Sequence, residues 1–468
     1  IHLIKQKFII KGWNIMSEMD HANVAAERVS LGVKLGYGVG DLGANLVFQT
    51  VMIFLLFYFT DVFGIAASIA GTIFLVSKVW DGVSDPVMGY ISDRTNTRWG
   101  KKRPYLLFGA PFLGITFFLL FASPPIPDTW KPAYALVLFL LVCTLYTVVN
   151  IPYGALTASI TLDTNERSSI TGYRVFCAIF GTLIVAGATK PLIGCFSSPV
   201  TGFRVTIGIY CIFVVALTLV TFFSVRETDT KAVHEQYRLT DIVQVIKSNP
   251  PFILLSIGMT MHLAAVGILA AMVNYYFKYT MDNESFTTIA LLCIFVSAAL
   301  SVPFWVFVAK KLSKRASFNL GMGLLALMLI AIYFIRDLNL SIIIPTFILA
   351  GIGISTIYFS PIAMIPDTVE YSQWKIGLRR EGILYGFFYF GQKLAAALAG
   401  FIAGHGLGII GFEPNKVQSV QVLEGIRIIT TFVPIVLIIV GVIFISFYPI
   451  DEALHRKIVK EIQQRDSM

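Results

Sequence analysis

Three charged side chains, Lys78, Asp81 and Asp85, fall three and four residues apart in the stretch Val76-Ser77-Lys78-Val79-Trp80-Asp81-Gly82-Val83-Ser84-Asp85-Pro86. Helical spacing stacks all three on one face. The stretch is otherwise apolar and long enough to cross a bilayer, where each charge costs on the order of 3 kcal/mol at mid-depth. Two carboxylates one turn apart offer the hard oxygens that Na⁺ or H⁺ needs, and Ser84 adds a hydroxyl. The competing reading is an ion-pair knot with Lys78. Buried pairs add little net stability over apolar packing, and two acids with one base leave a negative charge that a bound cation would cancel. Asp81, Ser84 and Asp85 are therefore taken as a cation site, with Na⁺ as the metal ion that Asp81 and Asp85 could hold.

Other polar side chains share this predicament. Asp41 and Asn45 lie in the first apolar span, Thr147 and Asn150 in the fourth, and Lys393 in the eleventh. A lysine at that depth must find an anion, and Asp81 or Asp85 is its natural partner. Arg174 has two options: it can reach the membrane interface, or turn inward and donate a fork of hydrogen bonds to substrate hydroxyls. Tyr37, Tyr146, Tyr153 and Tyr358 sit beside polar residues in ways that suit stacking on a sugar ring. His262 and His405 read as neutral imidazoles hydrogen-bonded to a neighbouring helix.

The elements that must position these groups are apolar helices. The chain is 56% apolar and 13% charged, with a mean hydropathy of +0.77, a balance that describes a polytopic membrane protein. Twelve segments have the length to cross ~30 Å at ~1.5 Å per residue: 36–62, 67–91, 104–124, 133–160, 170–194, 204–224, 250–278, 286–309, 316–335, 340–365, 382–405 and 427–448. The expected organisation is an N-terminal cytoplasmic segment (1–35), a six-helix bundle (36–224), a polar cytoplasmic linker (225–249), a second six-helix bundle (250–448) and a cytoplasmic tail (449–468). Lys and Arg crowd one side, among them Arg94, Arg98, Lys101, Lys102, Arg103, Arg226, Lys310, Lys311 and Lys314, while the other side has a scatter such as Lys131, Lys278 and Lys416. That bias sets both termini in the cytoplasm of a plasma (inner) membrane protein. The net charge of +9 follows from topology and contact with anionic lipid, with no nucleic acid required. Five cysteines without metal-type spacing read as small core residues. Residues 1–15 lack the features of a signal peptide, which makes Met16 or Met19 the expected start. No nucleophile–base set, phosphate loop or cofactor motif is spelled, so an enzyme is not expected, nor any cofactor beyond a coupling cation.

Gly89-Tyr90-Ile91-Ser92-Asp93-Arg94, followed by Arg98-Trp99-Gly100-Lys101-Lys102-Arg103-Pro104, resembles the gating loop between the second and third helices of the major facilitator superfamily, with Asp93, Arg94, Arg98 and Lys101 at its motif positions. Further stretches resemble the glycoside, pentoside and hexuronide cation symporters, the family of melibiose permease: Tyr37-Gly38-Val39-Gly40-Asp41, Tyr58-Phe59-Thr60-Asp61-Val62-Phe63-Gly64, Trp80 to Pro86, Asn150-Ile151-Pro152-Tyr153, Asp367-Thr368-Val369-Glu370-Tyr371 and Gly411-Phe412-Glu413-Pro414-Asn415. The resemblance runs in order from about residue 32 to about residue 450. It implies an all-α major facilitator fold. It also implies cation-binding carboxylates at Asp81 and Asp85, a contributing hydroxyl at Thr147, a lysine near both sites at Lys393 and a sugar-contacting arginine at Arg174. Asn45 and Asn150 stand where melibiose permease has sugar-binding aspartates, Gly154 and Tyr358 replace sugar-contacting positions, and Ser84 replaces an asparagine near the cation. These departures argue against a galactoside. By lowering the negative charge of the pocket they would admit an acidic sugar such as a uronide beside Arg174 and Lys393.

The expected function is symport of a sugar with Na⁺ or H⁺ by alternating access. Asp41, Asn45, Asn150, Tyr153, Arg174, Tyr358 and Lys393 are expected to line the substrate site, and Lys78 and Lys393 to pair with the acids. The protein is expected to work as a monomer in contact with membrane lipid. The competing reading within the same fold is an uncoupled facilitator or lysolipid carrier.

Overall fold

The protein is described here by a computed structural model covering residues 29–161, 163–227, 244–336, 339–377 and 380–466. Met16, Met19, most of the N-terminal segment and the middle of the linker lie outside the described residues.

Helix α1 (Leu31–Thr50) opens at Ser30, whose hydroxyl accepts from the Val33 N–H, and runs on through π-helical turns at Val51–Leu55 and Tyr58–Val62. It is followed by α2 (Ala67–Arg94), α3 (Arg103–Leu120), α4 (Lys131–Ile160), α5 (Thr164–Gly194) and α6 (Pro199–Ser224). Beyond the linker come α7 (Pro250–Tyr275, continued by a π turn at Tyr276–Thr280), α8 (Phe286–Lys311) and α9 (Lys314–Phe334). Then α10 runs in two pieces, Leu340–Ile354 and Thr356–Ile376, broken at Ser355, followed by α11 (Glu381–Ile409) and α12 (Val420–Ser446). A polar helix, α13 (Glu452–Asp466), lies beyond them and docks on α10. The starts are written locally: Asp163, Asn249, Ser313 and Ser419 cap the first-turn N–H groups of α5, α7, α9 and α12, and proline opens α3, α4, α6 and α7.

Eleven of these helices are long and apolar enough to cross a membrane. The twelfth, α2, has 28 residues, about 42 Å at ~1.5 Å per residue, and falls short in apolarity because it carries Lys78, Asp81, Asp85, Asp93 and Arg94. The element that departs from the membrane rule is thus the one that bears the candidate site. Twelve crossings bring Ser30, the α2–α3 loop, the described ends of the linker and α13 to one end of the molecule, the termini side.

Within the first six helices α1 packs on α5 and α6, α2 on α4, and α3 on α4 and α6; within the second six, α7 packs on α11 and α12, α8 and α9 on α10, and α9 on α12. The two groups meet where α2 lies along α11, α5 meets α8, and the far half of α1 meets α7. Glycine permits the closest of these approaches: a Cβ on Gly404 would stand 2.6 Å from the Ala67 carbonyl oxygen and from the Gly71 Cα. Buried Phe54, Phe59, Phe74, Phe139, Tyr275 and Phe277 join both groups in one core.

Candidate functional site

The α2–α11 contact carries the central cluster. Lys393 of α11 places its Nζ 3.0 Å from Asp81 Oδ1, 2.6 Å from Asp85 Oδ2 and 3.0 Å from the Asp81 carbonyl oxygen. Thr147 of α4 brings its Oγ1 to 3.0 Å from Asp81 Oδ1 and 2.9 Å from Asp85 Oδ1. Ser84 Oγ is within reach of the Asp81 carbonyl (3.0 Å) and of Thr147 Oγ1 (3.2 Å). Lys78 Nζ stands 3.3 Å from Asp81 Oδ2, with the rings of Phe48 and Phe139 at 5.9 and 5.7 Å. Six residues from three helices thus converge. Two acids beside one base would leave the pocket negative, but Lys393 from the other bundle supplies a second ammonium, and the four charges sum to zero. Burial divides the cluster: the Lys78 and Asp81 side chains are 7% and 3% exposed, those of Lys393 and Asp85 21% and 20%.

A second cluster lies within the first bundle. Arg174 turns inward: its Nε donates to Asp41 Oδ2 at 2.5 Å, its Nη2 approaches Oδ1 at 3.4 Å and its Nη1 donates to Thr157 Oγ1 at 3.0 Å. The guanidinium lies 4.8 Å from the centre of the Tyr153 ring and 5.4 Å from that of Tyr37. These two tyrosines each donate to the other's carbonyl oxygen, at 2.5 and 2.8 Å, so Tyr153 braces the arginine and has its own hydroxyl satisfied. Asn45 donates its amide to the Asp41 carbonyl at 2.9 Å. Asn150, Tyr146 and Tyr153 line a space between α1, α3, α4 and α6, whose volume of about 10 Å³ is about that of a single water. Tyr358 on α10 is half exposed, and its hydroxyl bonds to none of the other candidate residues. His262 and His405 bond through Nδ1 to the carbonyl oxygens of Gly258 and Phe401 on their own helices.

The α2–α3 loop is braced by the linker. Glu227 accepts from the N–H groups of Lys101, Lys102 and Arg103 at 2.9, 2.8 and 2.9 Å. Gly100 is held at φ +106°, and a Cβ there would stand 2.5 Å from the Glu227 carboxylate. Burial lowers the pKa of the Lys102 ammonium, which reaches the Ala155 carbonyl and Ser159 Oγ. Arg94 and Arg98 lie over the rings of Tyr90 and Trp99.

Sequence reasoning did not anticipate a network at the far end. Asp61, on the last π turn of α1, accepts from Lys278 Nζ at 2.7 Å, from the Tyr279 hydroxyl and from Thr60 Oγ1 at 2.7 Å. Asn415 accepts from Lys278 at 2.7 Å and donates to the Asp61 carbonyl at 2.7 Å. Lys190 pairs with Glu284 at 2.6 Å, and a cavity of about 690 Å³ opens beside these groups. The available signal was an aspartate ending an apolar span at Asp61 and a lysine ending another at Lys278.

The model of the MFS/sugar transport protein family matches residues 36–452. The chain is 34% identical over 449 residues to the uncharacterized symporter YnaJ of Bacillus subtilis (strain 168), covering 94% of this chain and 96% of that protein. It is 30% identical over 444 residues to the glucuronide carrier protein homolog of Escherichia coli (strain K12), covering 94% and 97%. A solved bacterial homologue of the lysosomal transporter Spinster, inward-facing and unoccupied, superposes with a TM-score of 0.67 at 12% identity over 92% of this chain and 97% of that one, which speaks for the fold. A polytopic α-helical transporter, and not an enzyme, is the class these findings define. The chain belongs to the MFS/sugar transport protein family, and the resemblance to the glycoside, pentoside and hexuronide cation symporters is borne out.

Proposed function

We propose that the protein is a secondary active symporter that couples inward movement of a sugar to Na⁺ or H⁺ by alternating access. The observation that carries this reading is the seat of Lys393. Its ammonium is surrounded by three oxygens, two from carboxylates and one a carbonyl, at 3.0, 2.6 and 3.0 Å, with the Thr147 hydroxyl beside both acids. A monovalent cation fits the same donors: hard oxygens for Na⁺, or a shared proton between coupled acids. Because the seat joins the two bundles, a cation that displaces Lys393 loosens one bundle from the other, and binding is thereby coupled to rocking.

Several observations support an inward-facing state with both termini in the cytoplasm. The basic excess lies on the termini side, the far end is tied by Asp61, Lys278 and Asn415, and Asp85, Lys393 and Arg174 keep partial exposure at mid-depth. A plasma (inner) membrane location and a functional monomer belong to the same reading, as does a sugar cargo, in keeping with the relative named a glucuronide carrier. Arg174, Asp41 and Lys393 are the sugar-contacting groups in this proposal. The test is uptake into proteoliposomes of a panel of glycosides, pentosides and uronides under an imposed Na⁺ gradient, an imposed pH gradient, or neither. Accumulation of one substrate under one gradient is expected; flux indifferent to both gradients would leave an uncoupled facilitator.

A further inference from the structure

We propose that Lys190 gates the far end by exchanging partners. With the far end shut it pairs with Glu284 across the seam between the bundles; with the far end open it pairs with Asp61 on its own bundle, while Lys278 passes from Asp61 to Glu284. The inference rests on the alternating-access reading above.

Four charged groups line the far-end cavity, and their close pairs cross the seam. Asp61 on the last π turn of α1 and Lys190 on α5 belong to the first bundle. Lys278 on the π turn after α7 and Glu284 just before α8 belong to the second. Lys278 reaches Asp61 at 2.7 Å and Lys190 reaches Glu284 at 2.6 Å. Within this set each bundle carries one charge of each sign, so neither half holds a net charge that would resist their parting. The alternative pairing is close at hand. Lys278 stands 3.9 Å from the second Glu284 oxygen. Lys190 and Lys278 lie 4.4 and 5.1 Å from the centre of the Phe57 ring, which precedes Asp61 by one turn of α1.

What opening removes makes the exchange necessary. Lys278, Tyr279 and Asn415 all leave Asp61 with the second bundle, and Thr60 stays. Lys190 loses Glu284 in the same movement. Because α1 packs on α5, each stripped charge finds its opposite on the adjacent helix, and the flexible lysine stem supplies the reach. A saturated ionic network can then open without stranding a buried charge. The two members of the Lys190–Glu284 pair are also unequal while the far end is shut. The Lys190 side chain is 9% exposed and needs an anion, whereas Glu284 is 45% exposed and stays hydrated without its lysine. Removing one member therefore has a different consequence from removing the other.

Distances between spin labels at Ser197 and Ser285 test this in the full-length protein in proteoliposomes, with the exposed native cysteine removed as Cys195→Ser. Glu284→Gln strands Lys190 while the far end is shut and should raise the open population on the order of fivefold. Lys190→Gln leaves a hydrated Glu284 in the shut state but strands Asp61 in the open one, so it should lower the open population by a similar factor and slow uptake. Lys190→Arg should restore the wild-type distribution. In an Asp61→Asn background Lys190→Gln should lose its closing effect, because no carboxylate remains to be stranded. A pair that merely ties the bundles gives the same sign from both members. An open population raised by Lys190→Gln as by Glu284→Gln would therefore overturn the exchange, as would a closing effect that survives Asp61→Asn. Alternating access stands in either case while the wild-type labels report two distances. One invariant distance under every substrate and gradient would remove both readings.

Discussion

Two ionic networks join the bundles, and they are built differently. At the far end the Asp61 carboxylate is 1% exposed and receives an ammonium and two hydroxyls, while Asn415 ties both its carbonyl oxygen and its lysine partner. At mid-depth the Asp85 carboxylate is 20% exposed and holds one hydroxyl and one partly exposed lysine from the other bundle. A saturated buried pair is a latch, strong because each partner would be stranded without the other. A partly open pair is exchangeable, because water or a cation can take over its bonds. The latch also sits at matching places in the two halves, on the terminal π turns of α1 and α7, a helix irregularity common at functional positions.

Substitutions in the central cluster have the largest expected effect. Asp81→Cys or Asp85→Cys should abolish concentrative uptake, a loss on the order of 100-fold, since removing one member of a buried pair costs roughly 3–5 kcal/mol; accumulation in proteoliposomes beside far-UV circular dichroism separates this from misfolding, and wild-type accumulation would refute the cation site. Asp61→Asn should act on conformation instead of coupling. It removes a charge-assisted bond worth roughly 1.5–3 kcal/mol, so spin labels at Ser197 and Ser285 should report a larger population of the state open at the far end, with the cation dependence of uptake retained. Arg174→Lys, which replaces the fork with a single point donor, should weaken sugar binding about tenfold with cation binding intact, as measured by calorimetry. Glu227→Gln touches neither network. It weakens three backbone bonds of the α2–α3 loop and should lower stability by about 1 kcal/mol, seen as a modest fall in melting temperature.

Much of the fold could be read from the chain because the bilayer admits few solutions: apolar runs of sufficient length must be helices, and Lys and Arg must gather on one side. The expected spans lie close to the observed helices, with the largest differences at the ends. Helix α10 continues to Ile376, well past residue 365, because Asp367 finds Lys314 at 2.8 Å and Glu370 finds His455 at 2.5 Å. The pairing of Lys393 with Asp81 and Asp85 was legible because a charge is too costly in lipid to stand alone, while Thr147 was joined to them only by the family resemblance. The latch was not, since Asp61 and Lys278 stand at span ends, where a charge is ordinary.

What the sequence determined by itself is the inventory: twelve crossings, one polar helix among them, and the charged residues that must pair at mid-depth. Which pairs form was decided by tertiary structure. Arg174 has Asp41 as its partner, Tyr153 serves as its brace, and Lys393 meets both Asp81 and Asp85 where either alone was expected. The physical reason is reach: an ion pair or hydrogen bond acts over about 3 Å, and whether residues some 300 positions apart come that close depends on how two whole bundles pack, which no local stretch of either helix encodes.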